Sequence, residues 1–391
     1  MPRTLICLLM CAAATAAARA EPLTPSSDAQ VLERVTARAG NPRARELQAL
    51  RSAVQREPRN AELAVQLARR YAADALAEGE PRYVGHAQAV LAPWWNEAAP
   101  PAAVRVQRAV IRQYDHRFAE ALADLDAVVA AEPRNGEAWS WKAAIHMVRA
   151  DYAAARPACE AFAPLTSALI GVACTAYVDS LSGRATAAAR ALDAALQATP
   201  QAPREERLWV LTRLAEIEER RGDNDAAERA FRAALALELP DVYLLAAYAD
   251  FLLDRGRAAE VLALLAQRAR ADVLLLRLAL AAQAANDPRA AGWTAELSAR
   301  FDAARARGDT SHEKEESRFA LALRGDAARA LTLARANHDK QREPADARVL
   351  LEAAIAARSR TAATPVLQWM DANQVESVVL RALAERVRAL P

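Results

Sequence analysis

The chain has no run of alternating β-branched residues bounded by hairpin dipeptides, so it offers no evidence for strands. Glycine is scarce, 11 in 391 residues, and falls mostly at turns, which leaves the segments between them free for helix. Beyond the first twenty residues only Cys159 and Cys174 remain, and neither has a CxxC neighbour, which argues against structural zinc and dithiol redox chemistry. The sequence contains no GxSxG elbow, no GxxxxGK[ST] loop, no HExxH pair and no GxGxxG after a strand. No catalytic residue, no cofactor and no enzyme activity are therefore expected.

Histidine is similarly sparse. His312-Glu313 opens a charged run but lacks a second histidine one turn on, and reads as the solvated start of a helix. His86, His116, His146 and His338 show no ligand spacing, so no metal is expected. Lysine occurs only at Lys142, Lys314 and Lys340, which makes nearly all positive charge arginine; with the heavy alanine content this fits a GC-rich coding bias.

The N-terminal stretch supplies Arg3, an apolar run from Leu5 and the small-x-small triplet Ala18-Arg19-Ala20, the pattern of a secretory signal over residues 1–20. Arg19 and Glu21 cut the run too short for a membrane span, and Met10 before Cys11 departs from a lipid-anchor signal. A periplasmic or secreted protein without an integral membrane segment after cleavage is expected. In an oxidising compartment Cys159 and Cys174 either pair, closing a loop of about fifteen residues, or remain two small buried hydrophobes. Loss of Arg3 and Arg19 reduces the basic count from 51 to 49, matching 49 acids. Acids and bases alternate within helices, so a nucleic-acid partner is not expected.

What the sequence has in abundance is a repeat. Gly222 and Gly256 lie about thirty-four residues apart. Ala227, Phe231, Ala234, Leu235 and Pro240 follow Gly222 at nearly the offsets at which Ala188, Leu192, Ala195, Leu196 and Pro200 follow Gly183. Glu-Pro-Arg-Asn occurs twice, at Glu57 to Asn60 before a helix over Ala61 to Tyr71 and at Glu132 to Asn135 before one over Gly136 to Val148; proline ends one helix and asparagine caps the next. Repeated alanines let paired helices approach, so a large residue at Ala227 is expected to overpack. Irregular units are expected where Ala72 to Tyr83 reads as an insertion, where Pro157 and Pro164 interrupt a second helix, and at Pro100-Pro101. The expected architecture is an all-α solenoid of antiparallel helix pairs, one elongated domain over 21–391, with clearest repeats over 55–285 and irregular repeats followed by a C-terminal cap over 286–391, ending in a helix from Gln374 to Leu390.

Ala109, Phe118, Ala121, Leu125, Val129 and Pro133, followed by Trp139, Ala143, Tyr152 and Ala155, resemble units of the tetratricopeptide repeat family. That resemblance implies a right-handed superhelix whose first helices line a concave binding face. By register the face carries Gln113, Tyr114, Tyr177, Trp209, Glu216, Glu219, Arg220, Tyr243, Asp250 and Asp254. Aromatics and carboxylates along one groove suit an extended peptide or a segment of a protein partner; equally, Tyr177 and Tyr243 could pack between units. The functional expectation is a non-catalytic periplasmic scaffold for a protein or peptide partner in envelope assembly or secretion. The alternative is a glycan-binding accessory of an envelope polysaccharide or cell-wall system, using Trp94 and Trp95 as a stacking platform unless these pack under their loop.

Overall fold

A computed structural model describes Ser27, residues 42–309 and residues 311–391. The signal segment, Cys11 and the expected mature start at Glu21 lie outside the described residues. The chain divides into two units, Met1–Gln48 and Ala49–Pro391, and all that follows concerns the second.

After α1 (Pro42–Arg56), helices fold back on one another in order. α2 (Ala61–Glu78) packs on α3 (Arg82–Val90), α4 (Ala102–Tyr114) on α5 (Phe118–Ala131), α6 (Gly136–Val148) on α7 (Tyr152–Phe162), and α8 (Ala168–Ser180) on α9 (Ala185–Ala198). The series continues with α10 (Arg204–Arg221) on α11 (Asn224–Leu235), α12 (Val242–Leu253) on α13 (Ala258–Leu264), α14 (Asp272–Ala284) on α15 (Ala290–Ala306), and α16 (Glu313–Arg324) on α17 (Ala327–Lys340). α18 (Pro344–Ala356), α19 (Thr364–Ala372) and α20 (Val378–Arg388) complete it. No strand occurs among the described residues. The fold is an α-solenoid.

Local chemistry sets the joints. Both Glu-Pro-Arg-Asn copies act alike: Asn60 Oδ1 accepts from the Glu62 and Leu63 amides, Asn135 Oδ1 accepts from the Ala138 amide, and each asparagine Nδ2 donates to the glutamate three residues earlier at 2.9 Å. Ala121, Ala188 and Ala227 are buried where hairpin helices meet, and Phe231 is fully buried with its ring 5.4 Å from Tyr248 and 5.5 Å from Phe251.

Several expectations change. Ala72 to Tyr83 is no insertion: α2 runs on to Glu78, Gly79 terminates it in the left-handed region at φ 65°, and Pro81 sits at the N-cap of α3. Pro157 does not interrupt α7 but lies inside it, because Tyr152, Ala155, Ala158 and Cys159 bury the same face and hold the helix through the lost amide; only Pro164, in a 3-10 turn, marks its end. The last helix starts at Val378, after Gln374 turns at φ 50°. Cys159 and Cys174 are joined in a disulfide, with Cα atoms 5.5 Å apart, tying α7 to α8.

The largest departure is tertiary. The array returns on itself five pairs later. Gly79 abuts Val242 and Ala271, Gly183 abuts Gln374, and Gly222 abuts Val378. The Ala185 amide donates to Glu376 Oε2 at 3.1 Å, and the Arg342 amide to the Val148 carbonyl at 2.7 Å. One continuous apolar core joins Ala143, Met147, Tyr152 and Val178 to Leu350, Leu351, Trp369 and Leu383. Residues beyond 286 are thus no peripheral cap. They cover the inner wall of earlier repeats because a second apolar surface is there to bury, at roughly 1.5 to 3 kcal/mol per large side chain.

Candidate functional site

Where an open trough is expected, the structure forms a half-open cavity of about 740 Å³. α2, α4, α8, α10, α12 and α14 supply one side of its lining, and α16, α18 and the start of α20 supply the other. That volume lies within the range of small-molecule sites, ~300 to 1,000 Å³. The lining is apolar near Ala75, Leu76, Val242, Ala246 and Val273, and densely charged elsewhere.

Of the ten expected groove residues, Tyr114, Tyr177, Glu216, Glu219, Arg220, Tyr243 and Asp250 come together in this lining, whereas Gln113, Trp209 and Asp254 do not. Trp209 is exposed outside it. Asp254 is taken by Arg348, whose Nη1 and Nη2 donate to its two oxygens at 2.5 and 2.7 Å.

α10 organises the aromatic part. Arg213 lies 4.5 Å from the Tyr243 ring centroid and 5.2 Å from that of Tyr177, donates to Tyr177 Oη at 3.2 Å, and pairs with Glu216 at 3.0 Å. Tyr243 Oη donates to Glu216. Tyr243 is half exposed and stands in the cavity lining. Burial pushes the phenols of Tyr114 and Tyr177 up to about 12, so all three tyrosines present neutral hydroxyls.

The charged middle is built from both turns of the array. Arg277 donates to Asp250 through Nε and Nη2 at 3.1 and 2.6 Å, and Arg318 does so through both Nη atoms at 2.9 Å. Burial alone would raise the Asp250 carboxyl, but these two guanidiniums hold it well below the usual carboxylate range. Glu219 lies three residues from Glu216 on the same helix, and its environment differs. Burial and the Asp254 carboxylate push it up to about 7, with Arg255 at 3.5 Å opposing them. Lys314 stays charged despite burial through Asp346, Glu315 and Glu343, its Nζ 3.7 Å from Asp346 Oδ1.

The run after His312 is therefore not solvated: Glu315 and Glu316 are buried, with Glu316 held by Arg305 and Arg329, because α16 lies over the earlier helices. Sequence reasoning missed Arg277, Lys314, Arg318, Glu343 and Arg348. One signal was present, since Arg277 is the only basic residue in the apolar helix Asp272–Ala284. The others sit where the repeat register fades.

Trp94 is buried in a 3-10 turn, and Arg112 lies 5.8 Å from the Trp95 ring centroid. Arg108 locks this segment, donating to the Trp95 and Glu97 carbonyls at 2.8 and 3.0 Å and bidentately to Asp124 at 2.8 and 2.6 Å. Trp94 thus packs under its loop, whereas Trp95 stays partly exposed beside Arg112. Among the described residues no group of three or more His, Cys, Asp or Glu side chains is arranged to hold a metal ion, and no helix is long and apolar enough to cross a membrane.

Paired helices stacked around an inner wall define a helical-repeat protein. Residues 172–300 match a tetratricopeptide repeat family model, so that segment of the chain resembles the family. Similar solved structures include a tetratricopeptide repeat protein from Parabacteroides merdae, 14% identical, covering 74% of this chain and 98% of that one with a TM-score of 0.36. Another is the TPR domain of P58(IPK), 15% identical, covering 83% and 96% with a TM-score of 0.21. No curated protein matches the chain.

Proposed function

We propose that this protein is a non-catalytic periplasmic scaffold that takes a short segment of a protein or peptide partner into its central cavity, in envelope assembly or secretion. The observation that carries this reading is the half-open cavity itself, lined by three neutral tyrosines and by charges drawn from both turns of the array. Its volume suits a few residues rather than a long extended peptide. Tyrosine faces supply contact area at low entropic cost, while the fixed charges select register. The signal pattern of residues 1–20 and the Cys159–Cys174 disulfide support an oxidising, exported setting.

The test is photo-cross-linking in intact cells from a reactive residue placed at Tyr243, with position 209 as the control outside the cavity. One partner captured at 243 and absent at 209 is the expected result. Equal capture at both positions, or turnover of a peptide or glycan by the purified protein that a single acid substitution abolishes, would sink the scaffold reading.

A further inference from the structure

Charged side chains at the start of α16 divide into two kinds. Glu313 accepts from Lys340 Nζ at 2.9 Å, Glu316 is held by Arg305 and Arg329, and Arg318 donates to Asp250 at 2.9 Å. Lys314 and Glu315, between them, line the cavity and make no side-chain hydrogen bond among the described residues.

The ion contact of Lys314 is with Asp346 Oδ1 at 3.7 Å, and the two oxygens of Asp346 already accept from Asn337 Nδ2 and the Glu343 amide, each at 2.9 Å. Glu315 is only 8% exposed, and its ion contact is Arg277 Nη1 at 4.0 Å; the hydrogen bonds of Arg277 go to Asp250 and the Val273 carbonyl instead. Nor do Lys314 and Glu315 pair with each other, because consecutive residues on a helix do not face one another. Both are ionised. Burial alone would raise the Glu315 carboxyl, but the Lys314 and Arg277 charges hold it below the ordinary glutamate value, and Lys314, which burial alone would lower, is raised by Asp346 and Glu315.

The cavity thus presents an ammonium and a carboxylate from neighbouring positions, each with unused hydrogen-bonding capacity. A single anion or cation compensates one of them and leaves the other. A neutral amide reaches both but supplies no charge against the cost of displacing their water. A ligand with one charge of each sign satisfies the pair.

We propose that Lys314 and Glu315 bind a small zwitterion, a free amino acid or a short unblocked peptide, with the ligand carboxylate on Lys314 and the ligand ammonium on Glu315. The inference rests on the reading of the cavity as a place of ligand binding and gives it a further kind of ligand, one with both ends free. The apolar wall at Leu76, Val242 and Val273 then takes its side chains.

Isothermal titration calorimetry of the full chain with leucine, leucyl-leucine and the doubly blocked N-acetyl-leucyl-leucinamide tests the site, since none of the three carries net charge. Saturable binding of a free ligand, one per chain, is expected, with the blocked peptide weaker by about tenfold or more, the scale of one lost charge-assisted interaction. The tighter of the two free ligands assigns the site to amino acids or to peptides. Half-blocked peptides assign the ends: N-acetyl-leucyl-leucine loses affinity in Lys314→Met and not in Glu315→Gln, and leucyl-leucinamide does the reverse. Should a variant not fold, the blocked series on the unaltered protein decides alone. No saturable binding of either free ligand, equal affinity for free and blocked peptides, or half-blocked peptides indifferent to both substitutions overturns the proposal. Photo-cross-linking at Tyr243 reads a macromolecular partner, so the two readings fail separately.

Discussion

Gly222 lies against Val378 so closely that a Cβ on the glycine would stand 3.1 Å from Val378 Cγ1. One residue therefore ends α10, at φ 86°, and forms the seam between successive turns of the array. Gly79 does likewise for α2 against Ala271, and Gly183, in the turn after α8, lies against Gln374. The small turn residue of one pair is the contact surface for a segment five pairs later.

Gly222→Ala and Gly256→Ala separate these duties. Both glycines have positive φ, but nothing lies within 4 Å of a Cβ at Gly256. Each substitution incurs about 1 kcal/mol of left-handed strain, and Gly222→Ala about 1 kcal/mol more from crowding at Val378. Urea midpoints compared side by side read the difference; equal losses would mean that the seam yields freely.

Glu219 makes stability depend on pH with a definite sign. Its folded carboxyl titrates near 7, above the ordinary glutamate value of 4.5. The folded state thus binds this proton more tightly than the unfolded chain does, so its contribution is complete below pH 4.5 and lost as pH rises through 7. Glu219→Gln removes the dependence: the variant is expected to match the wild type at pH 4 and to exceed it by about 3 kcal/mol at pH 8.5. Denaturant curves at the two pH values check it, and parallel profiles for the two proteins would contradict it.

The Cys159–Cys174 bridge closes a loop of 15 residues between α7 and α8. The double substitution to serine is expected to lower stability by about 3 kcal/mol. Thermal melts of oxidised, reduced and substituted protein provide the measurement, with the reduced protein tracking the substituted one.

Much of this fold is legible in the chain. The two Glu-Pro-Arg-Asn joints, the alanines at 188 and 227 and the left-handed glycines act through neighbours close in sequence, and each behaves as its residue type dictates. The repeat register also leads to Tyr177, Glu216, Glu219, Arg220, Tyr243 and Asp250 in the lining, but misplaces Trp209. Pro157 and the Ala72–Tyr83 segment misled because local punctuation was overridden by burial of a helix face. Arg318 and Arg348 were illegible as site residues, since their aspartates lie 68 and 94 residues away.

The sequence by itself determined that helices form, where they turn, that they pair, and which face of each pair points inward, because these depend on propensity, caps and apolar period. Only the tertiary structure decided that the inward face is partly covered. That outcome depends on how far each pair rotates relative to the last, a sum of small packing angles that no single unit encodes. It is this sum that brings α16, α18 and α20 over α10 and α12 and turns a trough into a cavity.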